Sequence, residues 1–304
     1  MKSFKQWISY GNNPYCVDRK EVELRQVGIH LSYWTSRWSE DVLPLIRRAR
    51  DAGFDGAELP LLDPTNMDFK ALRQEADIHE IELTCCTGLP ADGDITHPDS
   101  SVRDKGLEHI LKCLDGAAEV GSPVLAGVLY VGWGVGVPSG DITPYWQRSV
   151  ETLQIAAEEA EQRNISLCLE ILNRYEGYLL TTTMDGLRFL DDIGHPRVKL
   201  NLDIYHMNIE EEDIAVAIKY AGGNLGHLHC SSNNRMRPGR GHIPWGDIRE
   251  SLDEINYEGW LVMECFPQSD NEVGRTMKTW HPMKDDLDAS AAEGAEHLRE
   301  FLIK

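Results

Sequence analysis

Basic residues are scarce in this chain: 30 Lys and Arg stand against 50 Asp and Glu, which gives a formal net charge of −20. Nucleic-acid-binding proteins need a basic face to displace counterions from phosphates, and anionic membrane surfaces attract basic segments. The charge therefore argues against both kinds of partner. The sequence also has no run of about 18 apolar residues, so it offers no candidate for a transmembrane helix.

Features of secreted proteins are lacking too. The first 26 residues contain no apolar core of signal-peptide length. The 7 cysteines are an odd number, and most lie inside apolar runs, where cysteine is typically a small buried hydrophobic residue. We expect a protein of the reducing cytoplasm, neither exported by a signal peptide nor embedded in a membrane.

From about residue 27 the chain has a regular alternation of short, β-rich apolar runs and longer amphipathic stretches. The amphipathic stretches 39–53, 144–164 and 288–303 are typical of helices, and several such stretches end in Gly or Asn, as helices commonly do. The apolar runs predict eight strands, at 27–32, 56–59, 81–86, 122–131, 165–170, 198–203, 225–230 and 260–265.

Strict alternation of strands and helices implies a parallel sheet, because parallel neighbours need a crossover connection. Eight repeats without a Gly-rich phosphate-binding fingerprint favour a closed barrel over a doubly wound sheet. We predict an α/β fold, a single (β/α)₈ TIM barrel over residues 27–304, preceded by an N-terminal extension, 1–26. In the extension, Trp7, Tyr10 and Tyr15 either cover apolar surface or belong to a loosely packed tail.

The last four predicted strands each end in a side chain that can bind a metal: Glu170, Asp203, His229 and Glu264. In such barrels the carboxyl ends of the strands carry the active site. Three carboxylates packed together repel one another unless a positive charge lies among them, and a divalent cation supplies it. Oxygen-rich ligation with one imidazole suits Mn²⁺, Co²⁺ or Mg²⁺. The alternative is four unconnected solvated or helix-capping groups.

The segments around these four residues resemble those of the ketose 3-epimerases, the D-tagatose and D-allulose (D-psicose) 3-epimerase group of the xylose-isomerase-like TIM barrels. The resemblance runs from about residue 28 to the C-terminus and leaves out only the extension. It is carried by LEILNRYE (169–176), LDIYHMNIEE (202–211), GHLHCSSNNRMRPGRGHIPW (226–245) and LVMECF (261–266).

The resemblance implies a role for individual residues. The four strand-end residues match the family's ligands for a divalent metal, for which we expect Mn²⁺, with Co²⁺ or Mg²⁺ as alternatives. Glu170 and Glu264 also match its acid–base pair. Residues that hold the O1/O2 end of the sugar are matched by Glu176, His206 and Arg235.

Further positions are matched less closely. His227 lies two residues before a ligand and matches a position that contacts the substrate or supports the ligands. Trp133, Trp34 and Trp38 resemble the aromatic walls of the pocket. His30, which we include among the substrate-binding residues, stands where an aromatic residue is common in the first strand. Each of these residues alone would more often be core or rim packing.

Two other departures from the family pattern, Ser232 and Cys265, lie beside the ligands and leave the preferred sugar open. The resemblance implies a metal-dependent epimerase acting at C3 of free ketohexoses such as D-fructose/D-allulose or D-tagatose/D-sorbose. It also implies a small-molecule sugar as partner and a homodimer or homotetramer.

Three alternatives remain open. An aldose–ketose or hydroxypyruvate isomerase would share the barrel and the metal cluster, but Glu176 and Arg235 favour the epimerase. An endonuclease-IV-like DNA repair enzyme would need more histidine ligands and a basic groove, which the charge disfavours. A non-enzymatic sugar-binding barrel would not need both glutamates.

Overall fold

The structure of the protein is a computed structural model that describes residues 25–136, 139–281 and 286–302. Its centre is a sheet of eight strands: β1 (Val27–His30), β2 (Gly56–Pro60), β3 (Glu82–Leu89), β4 (Val124–Gly132), β5 (Ser166–Glu170), β6 (Val198–Asp203), β7 (Leu225–Cys230) and β8 (Leu261–Met263). All neighbours are parallel, and the sheet closes where β1 pairs with β8, Gly28 lying opposite Val262. The predicted eight-stranded barrel is confirmed.

Helices surround the barrel and connect its strands. Those predicted at 39–53, 144–164 and 288–303 are present as the first, fourth and last helix. The helices are α1 (Leu43–Asp51), α2 (Phe69–Ile78), α3 (Ser100–Val120), α4 (Thr143–Gln162), α5 (Thr183–Ile193), α6 (Ile204–Glu210), α7 (Ile214–Ala221), α8 (Trp245–Glu254), α9 (Glu272–Thr276) and α10 (Leu287–Leu302).

Local sequence determines where several of these helices begin and end. In α5 the Thr182 side chain accepts a hydrogen bond from the Asp185 backbone N–H, and the Asp185 side chain accepts one from the Thr182 backbone, which completes a capping box. Gly194 then ends the helix in the left-handed conformation. Gly121 ends α3 in the same way.

The core has an outer layer, between strands and helices, and an interior column. Because side chains alternate along a strand, every second residue points into the barrel. Trp260 closes the lower end of this column, and a Cβ on Gly56 would lie 2.3 Å from the indole ring. Glycine at this position therefore allows the tryptophan to approach the backbone of β2.

The proposed extension lies almost wholly outside the described residues, and so do Trp7, Tyr10, Tyr15 and Cys16. Arg25, just before β1, donates a hydrogen bond to the Tyr257 carbonyl at 2.8 Å and forms an ion pair with Asp253. The other six cysteines are buried and unpaired. Among the described helices, none combines the length and apolar character needed to span a bilayer.

Candidate active site

A pocket opens at the carboxyl ends of the strands. Small-molecule sites usually combine an apolar wall with a few polar groups, and this pocket has both. The polar groups on one side are Glu170, Glu176, Arg235 and Glu264, and the other lining residues include His30, Trp38, Leu62, Cys86, Thr87, Val128, Trp133, Phe266 and Met277.

Four side chains from neighbouring strands meet at the pocket floor. Glu170 and Asp203 end β5 and β6, His229 is the penultimate residue of β7, and Glu264 directly follows β8. From Nδ1 of His229 the nearest carboxylate oxygens lie at 3.8 Å (Glu170), 3.9 Å (Asp203) and 3.7 Å (Glu264). All four residues are buried. The structure therefore brings the four expected ligands into one cluster, which we call the acidic cluster.

Asp203 shows why this cluster fits a cation. Its Oδ1 caps helix α6 by accepting the Tyr205 backbone N–H at 2.6 Å. Its Oδ2 is buried and has no hydrogen-bond partner in the described part of the chain. A buried acceptor without a partner is costly, and this one lies beside the imidazole of His229. A divalent cation among these donors would satisfy it.

A fifth carboxylate, Glu58 of β2, adjoins the acidic cluster. It is fully buried, and its Oε1 lies 2.9 Å from Nε2 of His229. In the neutral imidazole this contact places the proton on Nε2 and leaves Nδ1 as the nitrogen that can ligate a metal. Thr84 holds Glu58 in place by donating its hydroxyl to Oε2 at 3.1 Å. Glu58 is not among the site residues predicted from the sequence, although it shares with Glu170 a position near the end of an apolar run.

The carboxylates also determine the charge on His229. Burial opposes ionisation of this imidazole, but Glu264 and Glu58 raise its pKa well above the usual value. Burial raises the pKa of Asp203 to about 7. The cluster therefore favours a positive charge at its centre, which a divalent cation would supply in place of the His229 proton.

His227 lies on the same face of β7 as His229, and the two rings are 5.1 Å apart. Its Nε2 is 2.8 Å from Oε2 of Glu58. The side chain is fully buried and is not among the residues that line the pocket. Of the two roles that the sequence predicts for His227, this position below the pocket floor favours support of the ligands, through Glu58, over contact with the substrate.

Asn173, in the turn after β5, orients two of the residues matched to sugar binding. Its backbone N–H donates to Nδ1 of His206 at 3.2 Å, so the neutral imidazole carries its proton on Nε2. That nitrogen lies 3.5 Å from Oε1 of Glu170. The side-chain amide of Asn173 also donates to Oε1 of Glu176 at 3.1 Å. His206 thus directs a donor towards the acidic cluster, while Glu176 presents an acceptor to the pocket.

Arg235 reaches the acidic cluster from the loop after β7. Its backbone has a φ of 60°, a left-handed conformation that is uncommon outside glycine. Its Nη2 donates to Oε2 of Glu264 at 2.8 Å, and its Nη1 donates to Glu176 at 3.3 Å. The guanidinium lies 4.9 Å from the ring of Tyr205 and 5.0 Å from that of Phe266. These contacts hold a buried cation in a fixed orientation.

Aromatic rings form one wall of the pocket. Trp38 and Trp133 both line it, with their ring centroids 5.7 Å apart. Phe266 lies 6.3 Å from Trp38 and 6.0 Å from His30, which also lines the pocket. The structure therefore places Trp133, Trp38 and His30 where the sequence predicts them.

Trp34 is not part of this wall, contrary to the expectation. It is buried against Tyr33, with ring centroids 5.2 Å apart, and the guanidinium of Arg48 in α1 lies 5.0 Å from its ring. A 3₁₀ turn, Leu31–Tyr33, follows β1 and turns the chain. Trp34 consequently packs against the helical layer, and Trp38 is the residue that reaches the pocket.

Ser232 and Cys265, the two departures beside the ligands, have structural contacts. The Ser232 hydroxyl lies within hydrogen-bond distance of two carbonyl oxygens, that of Arg237 at 2.8 Å and that of Arg240, and its single O–H is shared between them, which fixes the loop that carries Arg235. Cys265 is fully buried. Neither residue is among those that line the pocket.

Comparison with known proteins agrees with this geometry. Residues 46–301 match the model of the xylose isomerase-like TIM barrel family. The D-psicose 3-epimerase of Ruminiclostridium cellulolyticum is 36% identical over 86% of this chain and 90% of its own length. The chain belongs to the ketose 3-epimerase family. The L-ribulose 3-epimerase of Mesorhizobium japonicum is 32% identical over 92% of this chain and 93% of its own.

A solved structure of this ketose 3-epimerase family has the same fold. The crystal structure of D-psicose 3-epimerase with D-tagatose from Clostridium cellulolyticum H10 matches with a TM-score of 0.87 and 33% identity, over 92% of this chain and 100% of that one. The resemblance drawn from the four sequence motifs is confirmed. Membership of the family makes this protein an enzyme of the isomerase class.

Proposed function

We propose that this protein is a divalent-metal-dependent ketose 3-epimerase that interconverts C3 epimers of free ketohexoses, of the D-fructose/D-allulose or D-tagatose/D-sorbose type. The observation that carries the proposal is the pair of buried glutamates, Glu170 and Glu264. They reach one pocket from strand ends three places apart around the barrel, and both adjoin His229. Relatives named for the ketohexose D-psicose and the ketopentose L-ribulose support a free ketose as the substrate.

We assign the metal to Glu170, Asp203, His229 and Glu264. Three carboxylates and one imidazole favour Mn²⁺, with Co²⁺ or Mg²⁺ as alternatives. The unpartnered Oδ2 of Asp203 supports this assignment, and so does the Nδ1 of His229, which carries no proton when Nε2 donates to Glu58. When bound, the cation acts as a Lewis acid for the negative charge that develops on the sugar oxygen.

The two glutamates supply the proton transfer. In epimerisation the C3–H bond breaks, its electron pair passes into an enediolate, and one glutamate accepts the proton. C3 then takes a proton on its opposite face through the other glutamate. Although burial raises both pKa values, His206 and His229 lower that of Glu170, and His229 and Arg235 lower that of Glu264. These neighbours favour the ionised form of each glutamate, which is the form that acts as the base, and the glutamate that protonates C3 must first take up a proton from solvent.

The neighbouring residues hold the sugar for this transfer. We assign donation to the O1/O2 end of the sugar to Arg235 and to the Nε2–H of His206, and acceptance from a sugar hydroxyl to Glu176. Donors fixed before the reaction stabilise developing oxygen charge without reorganising. Trp38 and Trp133 cover the apolar side of the pocket and exclude water from it.

We also propose that the protein is a homodimer or homotetramer of the cytoplasm. Large aromatic side chains remain exposed on the described surface, with Tyr175 at 73% and Trp280 at 68% exposure. Aromatic residues are enriched in subunit interfaces, and buried, unpaired cysteines suit a reducing compartment. Light scattering of the purified protein measures the assembly directly, and a monomeric mass would contradict it.

Incubation with D-fructose, D-tagatose and L-ribulose in the presence of Mn²⁺, followed by sugar chromatography, tests the function. We expect the C3 epimer of at least one ketose and no aldose. Exhaustive chelation should abolish the activity, and added Mn²⁺ should restore it. An aldose product would instead support an aldose–ketose isomerase. Full activity of the chelated enzyme would refute the metal assignment.

A further inference from the structure

A second group of metal-binding side chains lies beside the acidic cluster. It consists of His30 in β1, Glu58 in β2 and Cys86 in β3, which are neighbouring strands of the barrel. One ligand atom of each residue lies within 4.8 Å of those of the other two, and all three residues are buried. His30 and Cys86 both line the pocket, so an ion that enters the pocket can reach them.

The imidazole of His30 packs against two neighbouring rings, but one of its nitrogens has no hydrogen-bond partner among the described residues. Its side chain is 5% exposed, and its Nδ1 is buried without a hydrogen-bond partner among the described residues. The rings around it, His229 at 6.5 Å and Phe266 at 6.0 Å, contact it edge to face and offer no acceptor at that distance. A buried ring nitrogen without a partner is uncommon and calls for a ligand or an explanation.

The local charge also favours a second cation. Five carboxylates and one guanidinium, that of Arg235, surround the pocket floor. One divalent ion in the acidic cluster does not neutralise the carboxylates, so the pocket floor keeps a net negative charge. The carboxylates are Glu58, Glu170, Glu176, Asp203 and Glu264.

The donor atoms of the two groups differ in chemistry. The acidic cluster offers carboxylates and one imidazole, which suit Mn²⁺ or Mg²⁺. The second group adds a sulfur atom, and a set of one Cys, one His and one carboxylate suits Zn²⁺ or another thiophilic divalent ion. Three protein ligands also leave a fourth position that faces the pocket.

We propose that His30, Glu58 and Cys86 form a second cation site that selects Zn²⁺ over Mn²⁺. Binding breaks the S–H bond of Cys86, forms a Zn–S bond and releases the proton to solvent. An ion at this site occupies part of the pocket floor, so Zn²⁺ inhibits turnover by competing with the sugar. The site goes beyond the proposed function, because it binds a metal whichever sugar the enzyme accepts.

In the test, the protein is first saturated with Mn²⁺ and then treated with excess Zn²⁺. After the unbound ions are removed, the metal that remains bound to the protein is measured. The informative variant is Cys86→Ala. Its matched control is Cys85→Ala, because strand alternation directs the neighbouring thiol of Cys85 to the opposite face of β3, into the main hydrophobic core. The ions are counted by mass spectrometry of the metal, which needs no assay of activity.

We expect about two metal ions per chain in the unmodified protein and in Cys85→Ala, and about one in Cys86→Ala, because a thiolate dominates the zinc affinity of such a site. Co²⁺ in place of Zn²⁺ should give a thiolate-to-cobalt charge-transfer band that Cys86→Ala lacks. One ion per chain in the unmodified protein, or two in Cys86→Ala, would overturn the proposal.

His30→Phe provides an independent variant if Cys86→Ala has an altered melting temperature. It keeps an aromatic ring against Phe266 but removes both nitrogens, so it should also lose the second ion. Retention of two ions in a folded His30→Phe protein would contradict the site. Because the readout is stoichiometry, failure of the epimerase assay leaves it unaffected.

Discussion

Replacing Glu170 or Glu264 by glutamine is expected to lower kcat by about 10²- to 10⁴-fold, the usual contribution of a general base, while most of the bound metal is retained. Glutamine has nearly the same volume and keeps a carbonyl oxygen that can reach the cation. It cannot accept the C3 proton. Steady-state kinetics with each ketose, together with the metal content of each variant, checks both parts of the prediction.

The double variant and a neighbouring carboxylate serve as controls. Inversion at C3 needs both glutamates, so the double variant should be little slower than either single one. Glu176→Gln keeps both bases and should mainly raise KM, because our proposal assigns Glu176 to a sugar hydroxyl and not to the C3 proton. Near-normal turnover of Glu170→Gln at saturating Mn²⁺ would mean that a single base or a water molecule moves the proton.

Glu58→Gln is expected to weaken Mn²⁺ binding by about 10- to 100-fold, the usual loss when a residue that orients a ligating histidine is changed. The carboxylate of Glu58 contacts Nε2 of His229 at 2.9 Å and makes the imidazole more basic at Nδ1. The amide has no charge and holds the ring in this orientation less firmly. Titration calorimetry of metal-free protein with Mn²⁺ measures the change.

Glu82→Gln is the matched control, because Glu82 is an exposed carboxylate at the start of the adjacent strand β3. Its Mn²⁺ affinity should equal that of the unmodified protein. Thr84→Val removes the hydroxyl that holds Glu58 and should cause a smaller loss in the same direction. If Glu58→Gln binds Mn²⁺ as tightly as the control, Glu58 does not position His229.

The fold was largely predictable because apolar runs and amphipathic stretches repeat along the chain. The boundaries that differ have physical causes. Strand β3 continues through Leu89, beyond the predicted end at residue 86, because pairing with β4 extends it across an irregularity at Gly88 and Leu89. Strand β8 spans only Leu261–Met263 because its ladder with β1 extends no further than Val27–Ile29.

The acidic cluster was predictable for a related reason: its members stand at equivalent places in successive repeats. Glu58 was not, because its partner His229 is 171 residues away along the chain, and only closure of the barrel brings them together. The prediction that Trp34 lines the pocket is wrong because sequence spacing does not reveal the 3₁₀ turn after β1. Contacts across the barrel and directions after turns depend on tertiary structure, which periodicity does not encode.

Proton transfer at C3 is the central claim of this account, and the position of solvent deuterium in the product tests it most directly. The enzyme is incubated with Mn²⁺ and a ketose that it converts, in D₂O, and the isolated epimer is examined by nuclear magnetic resonance. The glutamate that protonates C3 carries a deuteron taken from solvent, so the account predicts deuterium at C3 and none at C1. Deuterium at C1, or a C3 epimer that carries no deuterium, would contradict it.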